Sequence, residues 1–358
     1  MIFKPKNHLV QLERKRVAKY RDTQQGLYLD RNERVTDFPA ETVDTLFSQL
    51  KEIPVNLYPD VDQFYRKLGD WLEVDPDRLY VTEGVSGAIK ALFETLTYPG
   101  DTAVFPLPTF ALYPVYAKMH QNDFRTVGYT DTYELEISKL YDRIDAGTTL
   151  VFIPNPNVPI EGTVGLEVLT EIAEKCLACE AYLVVDEVYY PFGGPDANSL
   201  TEKFENVLVM RSFSKAFGLA GIRTGFIVGN PSLIDYVSKT RTGYESNSVS
   251  MAIASFFIDN YPVIESYIED VKEGFEFLKS RLDHCGVEYN GGNASNFIFV
   301  NLHDSEKANR VVNDLKKQKI FIRGNWPEPY TGGFSITGAP LVEIRKLVGR
   351  LEPLLLSV

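Results

Sequence analysis

Apolar and polar positions alternate along the chain in a repeating order. From about residue 79 to 211, short β-rich runs are separated by stretches of helical period. Leu79-Tyr80-Val81-Thr82 reads as a strand, followed by an apolar helix through Ala88, Ile89, Leu92 and Phe93. Residues 102–105, 124–127, 149–153, 183–186 and 207–211 read as further strands. Helical patterns at about 111–120, 135–144 and 168–180 lie between them. Continuous Val/Ile/Leu runs separated by helices belong to a mainly parallel sheet covered on both faces. The expectation is an α/β fold of three layers, α/β/α.

The last hundred residues change character. A long helical pattern at about 251–281 leads into Asn296-Phe297-Ile298-Phe299-Val300, then Ile320-Phe321-Ile322 and a final helix from Leu341. This predicts a smaller α+β domain. The first forty residues have little periodicity and are expected to pack with it. The chain's 358 residues exceed what a single core usually serves. The expected division is a large domain over 41–261 and a small one from 1–40 with 262–358.

Composition narrows the function. At 44% hydrophobic and 24% charged, the chain has the profile of a soluble globular protein. Its longest apolar runs, such as residues 182–185, are strand-sized and far from the roughly 20 residues of a membrane span. Met1-Ile2-Phe3-Lys4-Pro5 lacks a signal peptide's apolar region and cleavage site, so a cytoplasmic location is expected. The formal charge of −12 argues against nucleic acid or an anionic membrane as partner. The local exception, Arg14-Lys15-Arg16 with Lys19, reads as a solvated face or arm. Cys176 and Cys179 form a CxxC inside a helical stretch without a second pair, and with Cys285 they give an odd count. They read as packing in a reducing compartment, and no metal is expected.

Ligands of open α/β sheets bind beyond the carboxyl ends of strands, and four stretches fall there. In Gly84-Val85-Ser86-Gly87-Ala88, small residues and a helix N-terminus can close on a phosphate, although a plain strand-to-helix turn has the same composition. Asn155-Pro156-Asn157-Val158-Pro159 is a rigid loop whose two amides can enter the cleft or simply brace the turn. Asp186 ends a buried strand, where a carboxylate needs a cation or strong donor such as a protonated pyridine nitrogen. Tyr189, three residues on, could donate to that ring's phenolic oxygen. Last, Lys215 stands in Arg211-Ser212-Phe213-Ser214-Lys215-Ala216-Phe217-Gly218-Leu219-Ala220-Gly221-Ile222-Arg223. A lysine among small and apolar residues can lower its pKa and act as an amine nucleophile. The serines and Arg223 are phosphate donors. Ser212 to Lys215 also fits the SxxK of penicillin-binding enzymes, whose SDN and KTG companions are absent.

In order and spacing these stretches resemble the fold-type I aminotransferases that use pyridoxal 5′-phosphate (PLP), and among them the histidinol-phosphate aminotransferase branch. Asn32-Glu33, Tyr58-Pro59-Asp60, Pro108-Thr109-Phe110 and Ser295-Asn296-Phe297 extend the resemblance over nearly the whole chain. It implies that Lys215 holds PLP as an aldimine and moves the proton, while Asp186 keeps the ring nitrogen protonated. Tyr189 and Asn157 would contact the phenolic oxygen, and Phe110 would stack on the ring. Gly84, Val85, Ser86, Ser212, Ser214 and Arg223 would cradle the phosphate. Tyr58 would reach the neighbouring subunit's phosphate, which implies a homodimer. Arg323, Tyr20 and Asn32 would bind substrate, with Arg323 also readable as an exposed ion-pair residue.

Two positions depart from the pattern. The family's Asn-Pro-Asn-Asn-Pro-Thr-Gly loop has an amide where this chain has Val158. Its Leu-Arg-Ile-Thr-Val-Gly segment appears here as Phe334-Ser335-Ile336-Thr337-Gly338, with Ser335 in place of the arginine that binds the substrate's acid group. A serine offers no bidentate charged fork. The expected reaction is ping-pong amino transfer between a small, perhaps phosphorylated, amino compound and a keto acceptor. The alternative is a PLP-dependent decarboxylase or lyase acting on a phosphorylated amino acid.

Overall fold

A computed structural model describes residues 6–10, 12 and 26–357. Its strands in chain order are β1 (Leu27–Leu29), β2 (Leu79–Thr82), β3 (Thr102–Pro106), β4 (Asp123–Val127), β5 (Thr148–Pro154) and β6 (Tyr182–Asp186). There follow β7 (Val207–Ser212), β8 (Gly225–Gly229), β9 (Glu288–Gly291), β10 (Phe297–Asn301), β11 (Ile320–Ile322) and β12 (Gly333–Thr337). Strands β2 to β8 form one sheet in the order β2-β8-β7-β6-β5-β3-β4. From β4 to β7 the neighbours are parallel, and β8 lies antiparallel between β7 and β2.

The unbroken apolar runs have a direct cause. Successive strand side chains point to opposite faces, and here both faces are buried. In β5, Val151 and Ile153 enter one buried cluster while Leu150 and Phe152 enter another. In β6 and β7, Leu183, Val185, Val207 and Val209 join the first, and Val184, Leu208 and Met210 the second. Helices Val61–Leu72 and Leu166–Ala178 cover the first face through Phe64, Leu68, Leu169 and Ile172. Helices Gly84–Leu96 and Leu112–Met119 cover the second through Ile89, Leu92, Phe93 and Tyr113. The three-layer α/β/α arrangement follows.

The first cluster continues into the C-terminal part, where β12-β10-β9 form an antiparallel sheet and β1 pairs parallel with β11. Ile298, Val300, Phe334 and Ile336 pack there against Val271, Phe275 and Leu278 of helix Pro262–His284 and Ile344 of helix Leu341–Leu356. Among the described residues no helix is long and apolar enough to cross a membrane.

Several elements differ from the sequence-based expectation. The helical pattern at 251–281 is two helices, Ser248–Asp259 and Pro262–His284. Pro262 has no N–H to continue the first helix but suits the opening turn of the second. Strand β8, a five-residue run between glycines, and the short strands β9 and β12 were not predicted. The strand expected from Asn296 runs instead from Phe297 to Asn301. Tyr20 and the basic cluster at 14–19 lie outside the described residues.

Gly274 marks the tightest helix contact: a Cβ there would lie 2.1 Å from the carbonyl oxygen of Ala339. Helix propensity alone favours Gly274→Ala by about 1 kcal/mol. Steric overpacking should reverse the sign and cost about 1–3 kcal/mol in urea unfolding. A stabilised variant would show that the two segments separate freely.

Candidate active site

Strands β2, β3, β5, β6 and β7 all end at one edge of the central sheet, and antiparallel β8 starts there. The chemistry-bearing residues follow from that geometry. Thr82 leads to Gly84, Pro106 to Phe110, Pro154 to Asn157 and Ser212 to Lys215, while Asp186 is the last residue of β6. Arg223 precedes β8, whose Gly225 pairs with both Thr82 and Ser212.

Lys215 sits in a loop pinned on both sides. Phe213 and Phe217 are buried, lie 4.7 Å apart by ring centroids, and pack on Trp71 at 6.3 and 5.3 Å. Gly218 follows with φ +70, and a Cβ there would fall 2.7 Å from Cδ of Arg34, so only glycine lets the loop close. The Lys215 amine donates to the carbonyl of Arg31 at 2.9 Å. Burial pulls its pKa down to about 8; Glu33 opposes this, while Arg323 and Arg223 add to it.

Asp186 is buried without a cationic partner among the described residues. Its Oδ2 accepts from the Tyr113 hydroxyl at 2.5 Å and its Oδ1 from the Val188 N–H at 3.1 Å. Burial raises the carboxyl to about 6, and both hydrogen bonds work against that rise. Sequence reasoning missed Tyr113. The signal was its place three residues after Phe110: its N–H donates to the Phe110 carbonyl, and the two rings meet edge-on at 6.3 Å.

Tyr189 is buried, and its oxygen accepts from Nδ2 of Asn32 at 2.8 Å. Burial drives its pKa well above the ordinary phenol value. Asn157 is fully buried, with Oδ1 accepting from Thr109 and Nδ2 donating to the Pro108 carbonyl. The amide therefore keeps one free N–H. Val158 packs against a small cluster of Ile160, Phe299, Trp326 and Tyr330. Glu161, also missed, ties this loop to the C-terminal sheet by accepting from Ser295 at 2.5 Å and from the Asn293 N–H at 3.1 Å.

The Gly84 turn and Arg223 form one cradle. Gly84 has φ +65, and a Cβ there would lie 3.0 Å from Nη2 of Arg223. Among the described residues Arg223 pairs with no carboxylate and reaches only the carbonyls of Ala220 and Glu83, at 3.2 and 3.5 Å. Val85 and Ser86 open the helix beside it, and the Ser212 hydroxyl donates to Ser214 at 3.0 Å. These are the donors a phosphate monoester needs. Arg211, from the same motif, turns away: fully buried, it pairs with Glu187 at 2.7 Å and Asp196 at 2.5 Å.

Arg323 and Ser335 are direct cross-strand partners, joined by backbone hydrogen bonds of 3.0 and 2.7 Å. Side chains of such a pair share one face. The Arg323 guanidinium lies over Trp326 at 4.0 Å. Tyr58 is 80% exposed and stacked on Tyr244 at 4.6 Å.

Such a site, with a buried lysine amine, a carboxyl without a cationic partner among the described residues and an anion cradle following neighbouring strands at the sheet's carboxyl edge, suits an enzyme built around a phosphorylated cofactor. The chain matches the family described as aminotransferase class I and II over residues 25–351. It belongs to that family and is an aminotransferase. It is 28% identical over 298 residues to a histidinol-phosphate aminotransferase of Caldanaerobacter subterraneus, covering 82% of this chain and 83% of that one. Histidinol-phosphate aminotransferase 1 of Carboxydothermus hydrogenoformans is 30% identical over 335 residues, covering 91% and 92%. The crystal structure of a histidinol-phosphate aminotransferase from Sinorhizobium meliloti in complex with pyridoxal-5′-phosphate shares the fold, with a TM-score of 0.84 at 21% identity and coverage of 93% and 91%.

The depressed pKa of Lys215 has a direct readout. Below pH 8 its amine is protonated and inert, and above it the free base is nucleophilic. Trapping of a small aldehyde by borohydride at Lys215 in the cofactor-free protein should rise with pH around a midpoint near 8, and Lys215→Ala should abolish it. A midpoint close to 10 would show that the amine is solvated.

Proposed function

We propose that this aminotransferase works with PLP attached at Lys215 and exchanges an amino group between a small amino compound carrying an anionic group and a keto acceptor. The observation that carries the cofactor assignment is Asp186, a buried carboxyl without a cation on the strand next to the one that leads to Lys215. A protonated pyridine nitrogen would complete it. Bound PLP supplies an aldehyde that condenses with amines and a protonated ring that withdraws electrons from the substrate's Cα.

The chain's own residues supply the rest. Asp186, held ionised by Tyr113 and the Val188 N–H, would keep the ring nitrogen protonated. Phe110 would cover a ring face, and Tyr189 with the remaining N–H of Asn157 would meet the phenolic oxygen. The backbone of Gly84, Val85 and Ser86, with Ser212, Ser214 and Arg223, would hold the phosphate. Lys215, once released, is the base that moves a proton at the substrate's Cα, and a pKa of about 8 suits that task near neutral pH. Arg323 would take the substrate's anionic group, with Tyr20 as a second candidate.

A homodimer fits the same reading. Tyr58 projects from an exposed loop with Val55 and Leu57, 79% and 61% exposed, so a second copy would cover apolar surface and receive Tyr58 at its phosphate site. The two-domain division at 41–261 would let the C-terminal part carry Arg323 over the cofactor. Three free cysteines suit a reducing cytoplasm. The charge of −12 argues against nucleic acid or membrane as partner. The relatives named above are aminotransferases, which favours transfer over the decarboxylase or lyase reading.

The test is a panel of ¹⁵N-labelled amino compounds with a keto acceptor. Label should appear in the new amine without release of carbon dioxide; release of carbon dioxide without transfer would overturn the reading. With a donor in hand, Arg323→Ala should raise its KM about tenfold or more while kcat changes less, since a hydrogen bond to a charged group contributes about 1.5–3 kcal/mol. An unchanged KM would remove Arg323 from the substrate site.

A further inference from the structure

Asn32 stands where the N-terminal segment, the central sheet and the C-terminal sheet meet, and its hydrogen bonds have defined directions. Its backbone N–H donates to Oγ1 of Thr337 at 2.9 Å, and the Thr337 hydroxyl lies 3.2 Å from Oδ1 of Asn32. A hydroxyl carries one proton. Oγ1 accepts from the main chain and gives that one proton to Oδ1. The amide is thereby oriented, Oδ1 toward Thr337 and Nδ2 toward the Tyr189 oxygen at 2.8 Å.

The rest of the residue is equally fixed. Its carbonyl accepts from Nδ2 of Asn296 at 3.0 Å, and its backbone has φ 55, a left-handed conformation that asparagine tolerates. Asn32, Thr337 and Tyr189 are 7%, 1% and 4% exposed, so little water competes for these bonds. One consequence follows for Tyr189. Its oxygen receives a proton from Asn32, so its own O–H is left to donate elsewhere, and among the described residues nothing accepts it.

We propose that Asn32 and Thr337 are positioning residues: a relay running Thr337 to Asn32 to Tyr189 that fixes the Tyr189 phenol as a hydrogen-bond donor to the phenolic oxygen of PLP. This rests on the PLP reading above. It gives Asn32 a role other than substrate contact. It also ties the cofactor's donor to β12, since Thr337 lies two residues beyond Ser335 on the same face of that strand.

The test uses full-length protein reconstituted with PLP, and reads the pH midpoint of the cofactor's visible absorbance. A donor to the cofactor's oxygen stabilises its anionic form, so losing that donor raises the midpoint. The charged groups whose fields reach Tyr189, namely Arg323, Asp186 and Glu161, are untouched in every variant. Thr337→Val keeps the shape and deletes both hydrogen bonds between Thr337 and Asn32. Asn32→Asp substitutes a carboxylate that accepts from Tyr189 and so reverses the phenol. Both should move the midpoint up by about one unit or more and raise the PLP dissociation constant severalfold. Thr337→Ser retains the hydroxyl and should titrate with the parent. The proposal is overturned if Thr337→Val binds PLP and titrates like the parent, or if Thr337→Ser moves as far as Thr337→Val. Should Asn32→Asp not fold, the two Thr337 variants decide the matter. Failure of the cofactor reading looks different: the parent protein itself would then show no borohydride-fixed PLP on Lys215.

Discussion

The site depends on a carboxyl group placed where the fold alone gives it no counter-charge. Asp186 closes the central strand β6, and burial already lifts it to about 6. An asparagine there would bury no charge, so stability gives no reason for the acid. What the structure does provide is two donors, Tyr113 and the Val188 N–H, which hold the anion against desolvation. Removing one partner of a buried charge commonly costs several kcal/mol, roughly 3–5. A cationic ring nitrogen would offset that cost, and the neighbouring features lie around the same point. The aromatic anchor of Phe213, Phe217 and Trp71 fixes the loop on the next strand. The Gly84 turn and Arg223 lie together beyond β2 and β8.

Charge at the site is managed by keeping some cations free and neutralising others. Arg211 and Arg223 belong to one motif, eight residues past Ser214's neighbour Lys215 in the case of Arg223, yet they have opposite fates. Arg211 is fully buried and bound by Glu187 and Asp196, with Tyr190 stacked 3.6 Å from its guanidinium. Its pairing with Glu187 joins the adjacent strand ends β6 and β7, which carry Asp186 and lead to Lys215. Among the described residues Arg223 and Arg323 pair with no carboxylate, and they add to the lowering that burial imposes on the Lys215 amine. Arg223 and Lys215 thus share one edge of the central sheet, Arg323 pairs with β12 of the C-terminal sheet, and Arg211 serves as a brace.

Much of this was legible before any coordinates. Unbroken apolar runs such as Leu150 to Ile153 gave the two-faced sheet because both faces demand hydrophobes, and strand-end positions gave Asp186, Asn157 and Lys215 because ligands gather there. What escaped was of three kinds. Pro262 interrupts a helical pattern whose apolar spacing continues across it, so periodicity alone joins two helices. Strand β8 is five residues long and runs against its neighbours, and nothing in its composition reports direction. Tyr113, Glu161 and the Thr337–Asn32 pair act through contacts 73 to 305 residues apart. Apart from the place of Tyr113 three residues after Phe110, chain-local patterns carry no trace of such contacts. Tyr189 was found from its place three residues after Asp186, but the direction in which its phenol donates required Asn32.

The two departures from the family pattern adjoin the same region, and together they bear on what the site accepts. Ser335 pairs with Phe299 on one side and Arg323 on the other, so the missing arginine's strand is flanked by an apolar ring and the surviving cation. Val158 packs into the cluster that contains Phe299 and Trp326, and Trp326 in turn carries the Arg323 guanidinium on its face. A phosphate dianion is best held by several cations or converging N–H donors. Here the Arg323 guanidinium is stacked on an indole, and Ser335 stands where the resemblance places a second charged fork. Ser335 therefore adds no charge to the one that Arg323 brings to this face. The relatives named for histidinol phosphate are 28% and 30% identical to this chain, which carries the class of reaction but not the residues on the wall formed by Ser335, Arg323 and Trp326. Substrate preference should therefore be sought in the chemistry of that wall and not taken over with the fold.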